Sequence, residues 1–256
     1  MSFSFDFKAK AVLVTGGASG IGYATADLFS RSGADVVIAD INEEGLKAAA
    51  AKLKAAHGGK LFAVSCDSSN PDSCTRLIDE SLKLLGKLDI VCNIAGVLAN
   101  GPTEDFSDER WLKVLSVNLN GPFFISKRAI PHLLESKGCI VNVASAAGLV
   151  GIPYGAAYSA SKSGIIGLTK AMAAEYARRG VRVNAICPGH VLTPMTAGGA
   201  DFGPGSDMEL LSRLSPLTGK GSDPSEMAAA IAYLASDAAV NATGTILSVD
   251  GGQTAI

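Results

Sequence analysis

Ala11-Val12-Leu13-Val14-Thr15-Gly16-Gly17-Ala18-Ser19-Gly20-Ile21-Gly22-Tyr23-Ala24-Thr25-Ala26-Asp27-Leu28-Phe29 is the stretch that decides the fold. Its first five residues are a short apolar run stopped by glycines, which is the pattern of a buried strand. From Tyr23 onward, apolar residues recur at helical spacing. A glycine-rich turn between strand and helix lets backbone N–H groups and the helix N-terminus meet a pyrophosphate. The key glycines, Gly16, Gly20 and Gly22, follow G-x-x-x-G-x-G rather than G-x-G-x-x-G, and a tight turn alone would also use them.

The next strand supplies the context. Asp35 to Ala39 is apolar and ends in Asp40, eighteen residues past Gly22. An acid at about that distance accepts hydrogen bonds from the adenosine ribose of a dinucleotide. The alternative for Asp40 is an N-cap for a helix over Glu43–His57, and the two roles are compatible. A 2′-phosphate beside this carboxylate would be repelled by about 1–2 kcal/mol. No lysine or arginine lies in Gly16–Gly22, and Ile41 follows the acid, so the expected cofactor is NAD (NADH), not NADP.

Further along, strands and helices alternate. Strands are expected over Leu61–Ser65, Asp89–Asn93, Cys139–Ala144, Val181–Cys187 and Thr245–Val249. Helices are expected from Pro71 to Leu85, in two patterns over Ser107–Lys137 joined near Asn118–Pro122, over Met208–Leu214 and over Pro224–Ser236. This alternation predicts one α/β domain over 1–256, doubly wound, with a seven-stranded, mostly parallel sheet and helices on both faces. Asp67, just past a strand end, either meets the adenine amino group or begins the turn before Pro71. Ala95-Gly96 ends a strand where backbone can approach a ligand closely. Pro194 to Asp207 is glycine-rich with little periodicity, which suggests a mobile substrate lid at about 194–215.

Tyr158-Ser159-Ala160-Ser161-Lys162 opens another helical pattern, running to about Tyr176. Tyr158 and Lys162 are one turn apart and share a face. A free phenol, with a pKa of about 10, is a poor base at neutral pH. An ammonium at ~4 Å would lower it by up to ~3 units, which makes proton exchange with an alcohol or carbonyl practicable. Taken alone, the pair also reads as a surface i, i+4 contact. Ser145 closes the fifth strand, where the carboxyl ends of parallel strands line the ligand crevice, and is placed to bond a substrate oxygen. No G-x-S-x-G surrounds it, and His57, His132 and His190 have no triad context, so a hydrolase is not expected. Asn118 is polar amid Val114, Leu115, Val117 and Leu119; it is either structural or holds a water near the site.

Composition excludes other classes. The chain has 256 residues, 48% hydrophobic, with a net charge of −2 and no basic cluster, which argues against nucleic-acid or anionic-membrane partners. No apolar run approaches the ~18–20 residues of a membrane span, and Met1–Lys10 has no apolar signal core, so a cytoplasmic protein is expected. The five cysteines show no CxxC spacing. Their favoured reading is small buried hydrophobes in a reducing cytosol, with no metal site.

Together these residues resemble the short-chain dehydrogenase/reductase family, from about Lys8 to Gly252. Thr15 to Gly22 is similar to its T-G-x-x-x-G-x-G loop, and Tyr158 with Lys162 to its Y-x-x-x-K pair, with Ser145 thirteen residues before the tyrosine. Asn93-Ile94-Ala95-Gly96 resembles N-N-A-G, with Ile94 for the second asparagine. Pro188-Gly189 with Thr193, and Val249 to Gly252, resemble two further signatures. The resemblance implies a Rossmann-like fold and a catalytic set of Asn118, Ser145, Tyr158 and Lys162. Tyr158 would be the acid/base, Lys162 would lower its pKa and bind the nicotinamide ribose, Ser145 would orient the substrate oxygen, and Asn118 would hold a relay water. It implies dinucleotide contacts at Gly16, Ser19, Gly20, Ile21, Gly22, Asp40 and Ile41. Further contacts are implied at Asp67, Ser68, Asn93, Ala95 and Gly96, and at Tyr158, Lys162, Pro188, Gly189, Val191 and Thr193. It also implies a homo-oligomer, commonly a tetramer. The expected activity is hydride transfer between NAD(H) and a small secondary alcohol or ketone. Substrate walls are expected from Val97, Leu98, Ala146, Ile152, Leu192, Met195 and Phe202. Two alternatives stand beside it: a 3-oxoacyl-thioester reductase, which usually prefers NADPH, and a dinucleotide sensor without catalysis.

Overall fold

Alternation along each strand sorts the apolar residues onto two sheet faces. In β1 (Ala11–Thr15), Val12 and Val14 enter one core while Leu13 enters the other. The same sorting divides Val36 and Ile38 from Val37 in β2 (Asp35–Asp40), and Val141 from Ile140 in β5 (Cys139–Val143). Both faces are covered by helices, which is why these strands read as continuous apolar runs. The computed structural model describes residues 5–197, 202, 206–212 and 215–255.

The remaining strands are β3 (Leu61–Ser65), β4 (Ile90–Asn93), β6 (Arg182–Pro188) and β7 (Ile246–Val249). The sheet order is β3-β2-β1-β4-β5-β6-β7. Every strand pair is parallel, so the expected mostly parallel sheet is parallel throughout. The order reverses direction between β1 and β4, and ligands in such sheets bind outside the carboxyl ends of the strands at that switch point.

Helices α1 (Gly20–Arg31), α2 (Glu43–His57) and α8 (Pro224–Ala235) cover one face through Phe29, Leu53 and Ile231. Helices α3 (Pro71–Leu85), α5 (Gly121–Ser136) and α6 (Ala156–Tyr176) cover the other through Leu77, Leu133 and Met172. Helix α4 (Asp108–Leu115) leads into α5, and α7 (Met208–Ser212) is short.

Two local details differ from expectation. The N-cap of α2 is Asn42, whose side chain accepts from Gly45 N at 3.0 Å, so Asp40 is left to another task. The turn before Pro71 does begin at Asp67, whose carbonyl accepts from Asn70 N at 3.0 Å, and Asn70 caps α3. The two helical patterns around Asn118 are joined without a break by a π-helical turn over Ser116–Asn120. Such turns insert an extra residue and occur disproportionately at functional sites. The five cysteines are buried free thiols. Of the expected lid, residues 198–201, 203–205, 213 and 214 lie outside the described residues.

Candidate active site

The glycine turn is shaped by close approach. Gly16 has φ +69°, and a Cβ there would lie 3.0 Å from the backbone N and Cα of Ala95. A Cβ on Gly22 would lie 2.0 Å from the Gly16 carbonyl oxygen, so helix and turn touch without room for a methyl group. The Thr15 hydroxyl accepts from Ile94 N at 2.9 Å and Ala95 N at 3.1 Å, which ties the ends of β1 and β4 together at the switch point. Ser19, the N-cap residue of α1, makes no side-chain capping bond, so its first turn is not sealed by the chain's own oxygen.

A cavity of about 180 Å³ opens beside this turn. Gly16, Asp40, Ile41, Asp67, Ser68, Ala95 and Gly96 line it, all anticipated from sequence. Asp40 faces it while bracing the turn: its Oδ2 accepts from Ala18 N at 3.2 Å and its Oδ1 from Asn42 N at 3.0 Å. Asp67 Oδ1 accepts from Ser69 N at 2.9 Å and Ser69 Oγ at 2.6 Å, and the hydroxyl bond chiefly holds its carboxyl below the usual range. Cys66, Lys113 and Val117 also line the cavity and carried no sequence signal. A glycine cradle that a Cβ would fill, an uncapped helix start and two carboxylates around one cavity fit the adenosine and pyrophosphate of a dinucleotide.

A second cavity of about 100 Å³ lies at the ends of β4, β5 and β6. Here the structure gathers Ile21, Gly96, Pro188, Gly189, Val191 and Thr193 around Ser145, Tyr158 and Lys162. Asn93 lines neither cavity. Its Nδ2 donates to Ser126 Oγ and Asn142 Oδ1, so it ties β4 to β5 and α5. Ser19, Gly20 and Gly22, in the turn and first residues of α1, line neither cavity.

Helix α6 presents Tyr158 and Lys162 together, as their spacing requires. Lys162 is 4% exposed and its Nζ donates to Val143 O at 2.8 Å. That ammonium lies 5.7 Å from the Tyr158 ring centroid. Burial pushes it down to about 8. Burial also raises the Tyr158 phenol, opposed by the hydrogen bond from Ser145. The expected lowering of Tyr158 by Lys162 is therefore not found: burial raises the phenol, and only the Ser145 hydrogen bond opposes it. Ser145 Oγ accepts from Ala147 N at 3.1 Å, which fixes its position after β5.

Asn118 is 1% exposed. Its Oδ1 accepts from Val97 N at 2.8 Å, and its Nδ2 donates to Val97 O at 2.9 Å and Ser161 Oγ at 3.2 Å. It thus clamps the segment after β4 against α6.

A third cavity, about 170 Å³, shares Ser145 and Tyr158 with the second. Leu98, Ala146, Ile152, Met195 and Phe202 line it as anticipated, while Val97 lines the other two. Leu192 does not line it. The bridge between Val191 and Ser222 turns Val191 inward, so strand-like alternation leaves Leu192 59% exposed. Asn100, His190 and Gln253 also line this cavity and were not anticipated.

A parallel sheet with its crevice at the switch point and a glycine cradle define the dinucleotide-binding class of α/β fold, here with a Ser–Tyr–Lys cluster at the strand ends. Comparison with known proteins gives the family. A family model described as enoyl-(acyl carrier protein) reductase matches residues 16–254. The 2,5-dichloro-2,5-cyclohexadiene-1,4-diol dehydrogenase of Sphingobium indicum is 41% identical over 254 residues, covering 98% of this chain and 99% of that one. The meso-2,3-butanediol dehydrogenase of Serratia marcescens is 39% identical over 251 residues, covering 97% and 96%. A solved structure of a putative short-chain alcohol dehydrogenase from Sinorhizobium meliloti 1021 superposes with a TM-score of 0.89 at 34% identity, covering 99% of each chain. The chain belongs to the short-chain dehydrogenase/reductase family, oxidoreductases that use nicotinamide dinucleotides.

Proposed function

We propose that this protein is an NAD-dependent dehydrogenase that oxidises a small secondary alcohol, or reduces the matching ketone, with Tyr158 as acid/base. The observation that carries the reading is the sharing of Ser145 and Tyr158 by two adjoining cavities, one lined by Lys162 and one by apolar side chains. The relatives named above act on alcohols of this kind. A bound nicotinamide would supply the acceptor or donor of hydride. Asp40 and Ile41 would hold the adenosine ribose, and the carboxylate would oppose a 2′-phosphate. Asp67 would meet the adenine, Gly16 to Gly22 the pyrophosphate, and Lys162 the nicotinamide ribose.

At the reacting end, the Tyr158 oxygen takes the alcohol proton, or returns it to a carbonyl. The Ser145 hydroxyl hydrogen-bonds the phenol, and this bond favours the phenolate. The same hydroxyl orients the substrate oxygen. Asn118 fixes Val97 and the backbone beside Gly96, and so holds the wall shared by the dinucleotide and substrate sides. The expected lid would close over the third cavity from Met195 and Phe202. The 3-oxoacyl-thioester alternative usually prefers NADPH by resemblance, and Asp40 opposes it.

Tyr158→Phe is the test. Turnover should fall by 10²–10⁴-fold, the usual share of a general acid/base, while stabilisation by NADH persists. Undiminished activity toward any alcohol would remove Tyr158 from this role.

A further inference from the structure

Ile152-Pro153-Tyr154-Gly155 leads into α6. Gly155 N donates to Ile152 O at 3.3 Å, which closes a four-residue turn with Pro153 second and Tyr154 third. Tyr154 has φ +59°. Where proline stands second and the third residue has positive φ, that third place favours glycine or asparagine. A tyrosine there is strained, because its Cβ crowds its own backbone. Such strain persists only where the surrounding structure imposes it, and it gathers at functional sites.

Three segments impose it here. Ile152 N donates to Ser159 Oγ at 3.4 Å, which seats the turn on α6 beside Tyr158. Tyr154 O accepts from Gly101 N at 2.8 Å, so the turn also holds the segment that brings Leu98 and Asn100 to the third cavity. The side chain reaches the third segment. Its hydroxyl accepts from Asp207 N at 2.9 Å, and its ring lies 6.1 Å from the Phe202 ring, tilted by 54°. Asp207 Oδ1 in turn accepts from Leu210 N at 3.0 Å, within α7. Phe202 and Ile152 line the third cavity, whereas Tyr154 does not. The tyrosine therefore acts on the cavity only through its neighbours. Glycine or asparagine would suit the turn better, but neither has a ring for Phe202 or a hydroxyl for Asp207.

We propose that Tyr154 is a positioning residue for the alcohol: it fixes Phe202 and the start of α7 against the turn that carries Ile152, and so sets the shape of the substrate cavity. The proposal rests on the reading of Ser145 and Tyr158 as the reacting end. Substrate affinity then depends on a side chain that touches neither substrate nor dinucleotide. A cavity wall binds ground state and transition state alike, so its loss raises KM more than it lowers kcat.

Two variants separate the contacts from the turn. Tyr154→Phe keeps the ring and the turn and removes the hydroxyl. Tyr154→Asn removes both groups and suits the positive φ. Each is compared with the wild type by amide hydrogen exchange over 206–212 and 97–101, by thermal melting and by NADH titration. Values of kcat and KM are measured with NAD for 2-butanol, cyclohexanol and 2,3-butanediol. Tyr154→Phe should speed exchange over 206–212 at least threefold and leave 97–101 unchanged. It should raise KM about three- to tenfold, the size of one lost hydrogen bond, with kcat within about twofold and the NADH Kd unchanged. Tyr154→Asn should raise KM further, yet hold Tm within about 2 °C, since relief of the turn offsets the lost ring contact. Unchanged exchange over 206–212, or an unchanged KM in both variants, would overturn the inference. So would a Tm and an NADH affinity that fall together in both, which marks a residue serving the fold alone. A wild type that oxidises none of the three alcohols would defeat the dehydrogenase reading, and this inference with it. Oxidation by the wild type, with both variants matching it, would remove Tyr154 alone.

Discussion

Lys162 meets two conflicting demands. In the proposed reaction it brings a cation to Tyr158, yet it sits almost wholly out of water. Burial holds its ammonium at about 8, against 10.5 for the free side chain. Below pH 8 the side chain is charged in folded and unfolded states alike, and the folded state carries the desolvation cost. For a shift of this size that cost is about 3 kcal/mol. Between pH 8 and 10.5 the unfolded chain binds more protons, so stability rises with pH across that window, and above it the cost is gone. Lys162→Met should therefore raise Tm at pH 7 while abolishing activity. Allowing about 1 kcal/mol for the lost bond to Val143 O, the net gain is about 2 kcal/mol, or about 4–8 °C at this chain length. Calorimetry at pH 7 and pH 9.5 checks it: the gain should shrink at the higher pH, and a lower Tm at pH 7 would refute the argument. Asp40 gives a second expectation at this scale. Asp40→Ala should raise the ratio of kcat/KM for NADP to that for NAD by about tenfold, the size of ~1–2 kcal/mol of repulsion. Because the carboxylate also braces Ala18 N and Asn42 N, both cofactors should lose efficiency, and only the ratio reports the discrimination. An unchanged ratio would leave cofactor choice unexplained. The Tyr158–Lys162 pair was legible in the sequence because i, i+4 spacing is a local signal. Asn100, His190 and Gln253 were not, since they come from three separate loops and share no spacing.

The element that positions the dinucleotide side is the turn from β1 into α1. Gly22 packs so closely on the Gly16 carbonyl that a methyl group must displace either helix or turn. Gly22→Ala should cost about 1–3 kcal/mol, the usual range for overpacking, and should remove most of the thermal stabilisation by NADH. Fluorimetric melting with and without NADH measures both, and retained stabilisation would place the pyrophosphate elsewhere. Helix and strand ranges were largely legible because apolar periodicity and caps are local. The exchange of Asp40 for Asn42 as the α2 cap shows how two polar residues, two positions apart, compete for one task. The π-helical turn at Ser116–Asn120 was not legible. The helical pattern continues through it, and its extra residue is set by Asn118 reaching both Val97 and Ser161 across the fold.

For the whole molecule, the expected observable is stabilisation by the right cofactor. A ligand at a hundred times its Kd, bound only by the folded state, adds about 2.7 kcal/mol, or about 5–11 °C here. NAD and NADH should raise Tm in this way, and NADP and NADPH should do so less. The opposite order would move the 3-oxoacyl-thioester reductase to first place. By itself the sequence determined the alternation of strands and helices, the glycine turn, and the shared helix face of Tyr158 and Lys162. Each of these is written in spacings short enough for local sterics and periodicity to enforce. Only the tertiary structure decided that every strand is parallel, that the Asn93 amide bonds Ser126 and Asn142, and that Leu192 faces outward. It alone set the direction of the Tyr158 shift, because desolvation depends on what distant segments pack around a group. It alone brought Asn100, His190 and Gln253 to one cavity with Tyr158, because loops far apart in the chain meet only when the sheet brings its strand ends together.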